Sequence, residues 1–133
     1  TVEFFNEIFQ KLRDGGALCL NVGSSANGVE SPVLSNVVKT VVEVFGEGQV
    51  RLHKVPRSRN WMLLARKRMP LPSLKNLARL LPAGLPVEVG AACFPYEVID
   101  GEGLLANDAQ LLSDSRNPLN INQFEEWWQG AWR

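Results

Sequence analysis

The chain has 133 residues, enough for one domain or a piece of one, and 45% are hydrophobic, which suits a packed core and not a disordered chain. Fourteen basic residues balance fourteen acidic ones, so no general electrostatic grip on nucleic acid or an anionic membrane is expected. Two cysteines, Cys19 and Cys93, and the single His53 supply no disulfide framework, no zinc cluster and no catalytic triad. The longest uncharged apolar runs, at residues 17–22 and 61–65, are far too short to insert into a bilayer. No basic-apolar signal segment is present, and the expected location is the cytoplasm.

Helical periodicity starts at once. Val2, Phe5, Ile8, Phe9 and Leu12 share one face, and Gly15 with Gly16 is the expected stop. A chain that opens at Thr1 directly into an amphipathic helix reads as an excised fragment or a processed product. Residues 17–22 are almost continuously apolar between glycines, the pattern of a strand covered on both faces. Residues 23–30 form a polar loop. Ser31 and Pro32 then cap and start a second helix, with Leu34, Val37, Val38, Val41 and Phe45 as its buried stripe and Gly46 as its end.

Val50, Leu52 and Val55 alternate loosely with Arg51, His53 and Lys54, a strand with one wet face or a place near an edge. Residues 60–65 are apolar again and belong inside the sheet. The first connection is long enough for a parallel crossover, whereas residues 56–59 allow only an antiparallel return. The fold class is therefore α/β, in the order helix, strand, helix, strand, strand. The last strand is antiparallel and lies between the other two, leaving the second strand at the rim.

The second half reads less clearly. Five of the eight prolines lie between Pro70 and Pro95, which divides the chain into short elements. Leu74, Leu77, Ala78 and Leu81 suggest a helix closed by Pro82, and residues 86–100 suggest a strand or extended chain. Asn122 and Glu125 read as a capping box opening a terminal helix that holds Phe124, Trp127, Trp128 and Trp132. That helix docks on the domain's own sheet or anchors another chain.

The strand order, and the residues placed on it, resemble the C-terminal half of the class I S-adenosylmethionine-dependent methyltransferase fold, and more narrowly the spermidine synthase-like family. The resemblance rests on Glu3, Phe4 and Phe5, then Leu12, Gly15, Gly16 and residues 17–21, which are similar to a helix, a glycine turn and a strand of that family. It continues through Val44 and Phe45, Val55 and Pro56, and residues 60–66. Leu112, Ser113, Asp114 and Pro118 resemble a short acidic signature of bacterial spermidine synthase-like proteins. The implied organisation is a partial Rossmann-like sheet over residues 1–68 and a loop-rich, partly helical, proline-rich extension over 69–133, packed as one domain.

The resemblance implies a transferase that moves an aminopropyl or methyl group from S-adenosylmethionine or its decarboxylated form. Yet the family's glycine-rich cofactor turn, its acidic strand end and its catalytic aspartate have no counterpart within the chain. Gly46 and Gly48, like Gly101 and Gly103, do not follow a strand and open a helix, so they read as turn glycines. The chain alone is expected to be inactive and to bind no cofactor. Its partner is its own N-terminal half or a second copy of itself, with no nucleic acid involved. The competing reading is a non-catalytic assembly or binding module derived from that fold.

Ligands of open α/β sheets sit beyond the carboxyl ends of the parallel strands. That places Asn21, Ser24, Ser25, Arg57 and Arg59 at the rim of a substrate pocket, unless they are only solvated loop residues. Aminopropyltransferases carry a tyrosine in the segment that corresponds to residues 55–60, and this chain has none there. Two guanidinium groups suit an anionic substrate better than a polyamine. His53 reads as a partly exposed strand residue, Cys19 as a small buried one and Arg66, Lys67 and Arg68 as a solvated strand end. Glu102, Asp108 and Asp114 have no metal spacing, and Asp114 reads as a residue that pins the chain. The 17–22 strand, apolar yet at a sheet edge, points to a homodimer or larger assembly.

Overall fold

The computed structural model describes residues 1–24, 31–55, 58–71, 98–100 and 108–115. Helix α1 (Val2–Lys11) turns Phe5 fully inward and leaves Ile8, Phe9 and Leu12 half-buried against the core. Strand β1 (Ala17–Gly23) follows. Helix α2 (Pro32–Phe45) begins where Ser31 accepts the Leu34 N–H at 3.3 Å, and it ends at Gly46, whose φ of 91° suits only glycine. A single 3₁₀ turn, Glu47–Gln49, leads into β2 (Val50–Lys54), and β3 (Asn60–Arg66) returns alongside it. The short β4 (Val98–Asp100) completes the sheet.

Strand order is β1-β3-β2-β4. Both β1 and β2 pair antiparallel with β3, so they run in the same direction on either side of it, joined through α2. This is the arrangement expected from the connection lengths: a mixed α/β sheet with its antiparallel strand inside. The β1–β3 register pairs Leu20 with Leu63, and the β2–β3 register pairs Leu52 with the same Leu63. Leu63 and Leu52 are completely buried, as are Leu34, Val38 and Val41 of α2. Helices and these strand residues form one apolar cluster, and the rings of Phe9 and Phe45 meet edge to face with centroids 5.2 Å apart.

Several expectations change. Strand β2 is not at the rim, because β4 pairs with it through Arg51, Leu52 and His53. Arg51 and His53 are buried rather than facing water. Strand β1 is not covered on both faces. Leu18, Leu20 and Val22 turn toward the helices, whereas Ala17, Cys19, Asn21 and Gly23 are exposed. The reason is that α1 and α2 share one side of the sheet, so an apolar run along β1 still has only one dry face.

The basic run is not solvated as a unit either. Lys67 is 8% exposed, with Nζ donating to the carbonyls of Leu12 (2.7 Å) and Gln10 (3.5 Å) and lying 4.9 Å from the Phe9 ring centroid. Arg66 Nε donates to Gly15 O at 3.0 Å. Helix α1 therefore stops at Lys11, several residues before the glycines, because a lysine from another element takes its last carbonyls. The expected helices at 74–81 and 122–132, Cys93, and the second glycine pair lie outside the described residues. Gly46 and Gly48 do serve a turn.

Candidate functional site

Two segments meet beyond the carboxyl ends of β1 and β2. The Ser24 N–H donates to Arg59 O at 2.8 Å, and the Ser24 hydroxyl points at the same carbonyl from 3.5 Å. Val55 donates to Asn60 O at 3.0 Å, and Ser58 closes the hairpin by donating its N–H to Val55 O and accepting from the Asn60 N–H at 3.0 Å. The backbone is thus pinned on both sides of Arg59, while its side chain stays exposed.

Of the five rim residues expected here, Ser24 and Arg59 are brought together, with Ser24 buried at 8% exposure. Asn21 lies on β1 opposite Met62, on the open face of the sheet and short of the strand's end. Ser25 and Arg57 lie outside the described residues. Among the described residues the Arg59 guanidinium makes no ion pair, so its charge is directed at solvent or a ligand.

Lys54 belongs to the same end of the sheet and was missed by periodicity. It pairs across the strands with Trp61, and its Nζ lies 5.5 Å from the ring centroid. Only the hairpin register brings the two together; the alternation in the sequence shows merely a charged residue at a strand end. Ser24, Lys54, Ser58, Arg59 and Asn60 give this rim two cations, two hydroxyls and an amide, with no carboxylate among the described residues. Among the described residues this set of cations and neutral polar groups suits an anionic group better than a polycation.

The segment 108–115 serves a different purpose. Lys39 Nζ donates to Ala109 O at 2.6 Å, Asn36 Oδ1 accepts from the Gln110 N–H at 2.7 Å, and Thr40 Oγ1 accepts from the Leu112 N–H at 3.0 Å. At the start of α1 the Val2 N–H donates to Leu112 O at 2.6 Å and Thr1 Oγ1 donates to Asp114 Oδ1 at 2.5 Å. Glu3 closes the set by accepting from the Asp114 N–H at 3.0 Å. Asp114 therefore pins the chain to a helix N-terminus, where a carboxylate is favoured. Among the described residues no group of acidic, histidine or cysteine side chains is placed to hold a metal ion. No helix among them is long and apolar enough to cross a membrane.

Comparison with protein-family models, with characterised proteins and with solved structures gave no match.

Proposed function

We propose that this chain is the C-terminal part of a spermidine synthase-like transferase of the class I, Rossmann-like kind, working with a preceding part that holds the S-adenosylmethionine-type donor. The observation that carries the reading is β3, an antiparallel strand set between two strands of common direction whose crossover is α2. Support also comes from the residues similar to the family's signature, Leu112, Ser113 and Asp114, of which Leu112 bonds to both helices and Asp114 to the start of α1.

The transfer is an in-line displacement. A lone pair on the acceptor attacks the carbon beside the donor's sulfonium, and the carbon–sulfur bond breaks to release a neutral thioether. Positioning supplies most of the rate in such a step. The role of residues 1–133 is then to orient the acceptor at the rim built by Ser24, Lys54 and Arg59. The exposed Arg59 guanidinium there suits an acceptor with an anionic group better than a polyamine.

Titration calorimetry tests this. The isolated chain should give no heat with S-adenosylmethionine, and a longer chain carrying a glycine-rich turn and an acidic strand end should bind it. Micromolar binding by the isolated chain overturns the division of labour. A preceding segment without those motifs overturns the transferase reading and leaves the assembly module in its place.

A further inference from the structure

Among the described residues strand β1 ends the sheet, and its outer side has a defined hydrogen-bonding parity. The Ser24 N–H donates to Arg59 O at one end of the β1–β3 ladder, and the Lys67 N–H donates to Gly16 O at the other. Residues of an antiparallel pair alternate between those that bond to the neighbour and those that point away. The even-numbered residues therefore face β3. Ala17, Cys19, Asn21 and Gly23 send their N–H and C=O groups to the free edge, and all four are exposed. Among the described residues nothing pairs with them.

Edges of this kind are normally guarded by charge, proline or a bulge. Here the strand has no charged residue and no proline, and its register with β3 advances without a bulge from Ala17 to Gly23. Its apolar side chains are also unfinished. Leu18 and Leu20 pack on the core yet remain only partly buried, whereas Leu63 and Leu52 on the inner strands are at 0% exposure.

We propose that, where no strand of a preceding part takes this edge, it pairs antiparallel with β1 of a second copy of the chain, across a twofold axis at Leu20. Parity limits the register, because outward-facing residues must meet outward-facing residues. An axis at Leu20 sets Ala17 against the partner's Gly23 and Cys19 against the partner's Asn21, so all four outward residues bond in both copies. An axis moved to Cys19 or to Asn21 leaves part of the strand unpaired. A neutral strand has no charge with which to repel its own copy, and the facing side chains are small. On the helix-covered side Leu20 meets the partner's Leu20, and Leu18 lies opposite the partner's Val22, which removes the remaining apolar surface from water. The joined sheet doubles the four strands of one chain. A joint of one strand pair is small, so the association belongs in the micromolar range rather than the nanomolar.

Sedimentation velocity on the 133-residue chain tests this. The expected result is a dimer at tens of micromolar that dissociates on dilution. In Cys19→Pro the lost N–H is one that faces the free edge, so the β1–β3 ladder stays intact. This variant should sediment as a monomer at the same concentration, with an unchanged circular dichroism spectrum. If it fails to fold, Asn21→Lys sets two ammonium groups on adjacent diagonal positions of the joint and should weaken dimerisation at least about tenfold. A chain that stays monomeric throughout overturns the proposal. So does a dimer that survives in a folded edge variant.

Discussion

Lys67 closes helix α1 from outside it, its Nζ donating to the Leu12 carbonyl at 2.7 Å across 55 positions of sequence. An ammonium group there meets the negative end of the helix dipole, and two carbonyls without intrahelical partners share it. The same residue ties the turn down through its backbone, since the Lys67 N–H donates to Gly16 O and the Gly15 N–H to Lys67 O, both at 2.9 Å. One residue thus ends the helix and sets where β1 begins.

Replacing Lys67 by Met keeps the stem packed near Phe9 and removes only the cation. Two carbonyls then lose their donor in a mostly buried place, a loss of about 1–3 kcal/mol. Urea denaturation should show a lower midpoint with an unchanged slope. An unchanged midpoint would mean that water replaces the ammonium group at no cost.

Thr40 is fully buried and has two partners, donating to Asn36 O at 2.7 Å within α2 and accepting from the Leu112 N–H at 3.0 Å. In Thr40→Val the shape is retained and the acceptor is lost, which leaves a buried backbone donor unsatisfied. We expect a destabilisation of about 1–3 kcal/mol by denaturant titration. Amide exchange at Leu112 should quicken at the same time, because its bond goes first. Exchange at Leu63, deep in the sheet, should follow only global opening.

Gly15 takes a φ of 77°, and a Cβ there would stand 2.9 Å from the Met69 sulfur. The close atom is in a flexible, exposed side chain that can move, so backbone strain dominates. Gly15→Ala should cost about 1 kcal/mol, seen as a small fall in melting temperature. A fall several times larger would mean that the Met69 side chain cannot give way.

How far the sequence was legible depends on whether an element carries its own signals. Helix α2 has a serine cap, a proline at its first position, a single apolar stripe and a glycine end, and each lies where the sequence places it. Helix α1 has the stripe but ends early, because its stop is a lysine brought in by β3. Strand β1 is apolar throughout, and nothing in that pattern tells which face the helices cover. The strap over Asn36, Lys39 and Thr40 uses polar residues that a hydrophobic period treats as gaps. At the rim, connection lengths put the loops that hold Ser24 and Arg59 at one end of the sheet, whereas the Ser24–Arg59 bond and the meeting of Lys54 with Trp61 required the strand register.

Arg59 tests the proposed site because its two halves have different surroundings. The carbonyl accepts from Ser24 at 2.8 Å and holds β1 to β3, while the exposed guanidinium makes no ion pair among the described residues. Arg59→Ala removes the second half and keeps the first. The melting temperature should therefore stay within a few degrees of the parent, as for an ordinary surface substitution. On the proposed transferase reading, the variant in a longer, donor-binding chain should raise KM for an anionic acceptor by roughly tenfold and change kcat little, since a contact that orients the acceptor acts in ground and transition states alike. Arg59→Lys keeps the charge without the two-pronged geometry and should recover part of that loss. Salt should weaken acceptor binding in the parent more than in Arg59→Ala. A lower melting temperature with unchanged KM would place the guanidinium in the fold and remove it from the site.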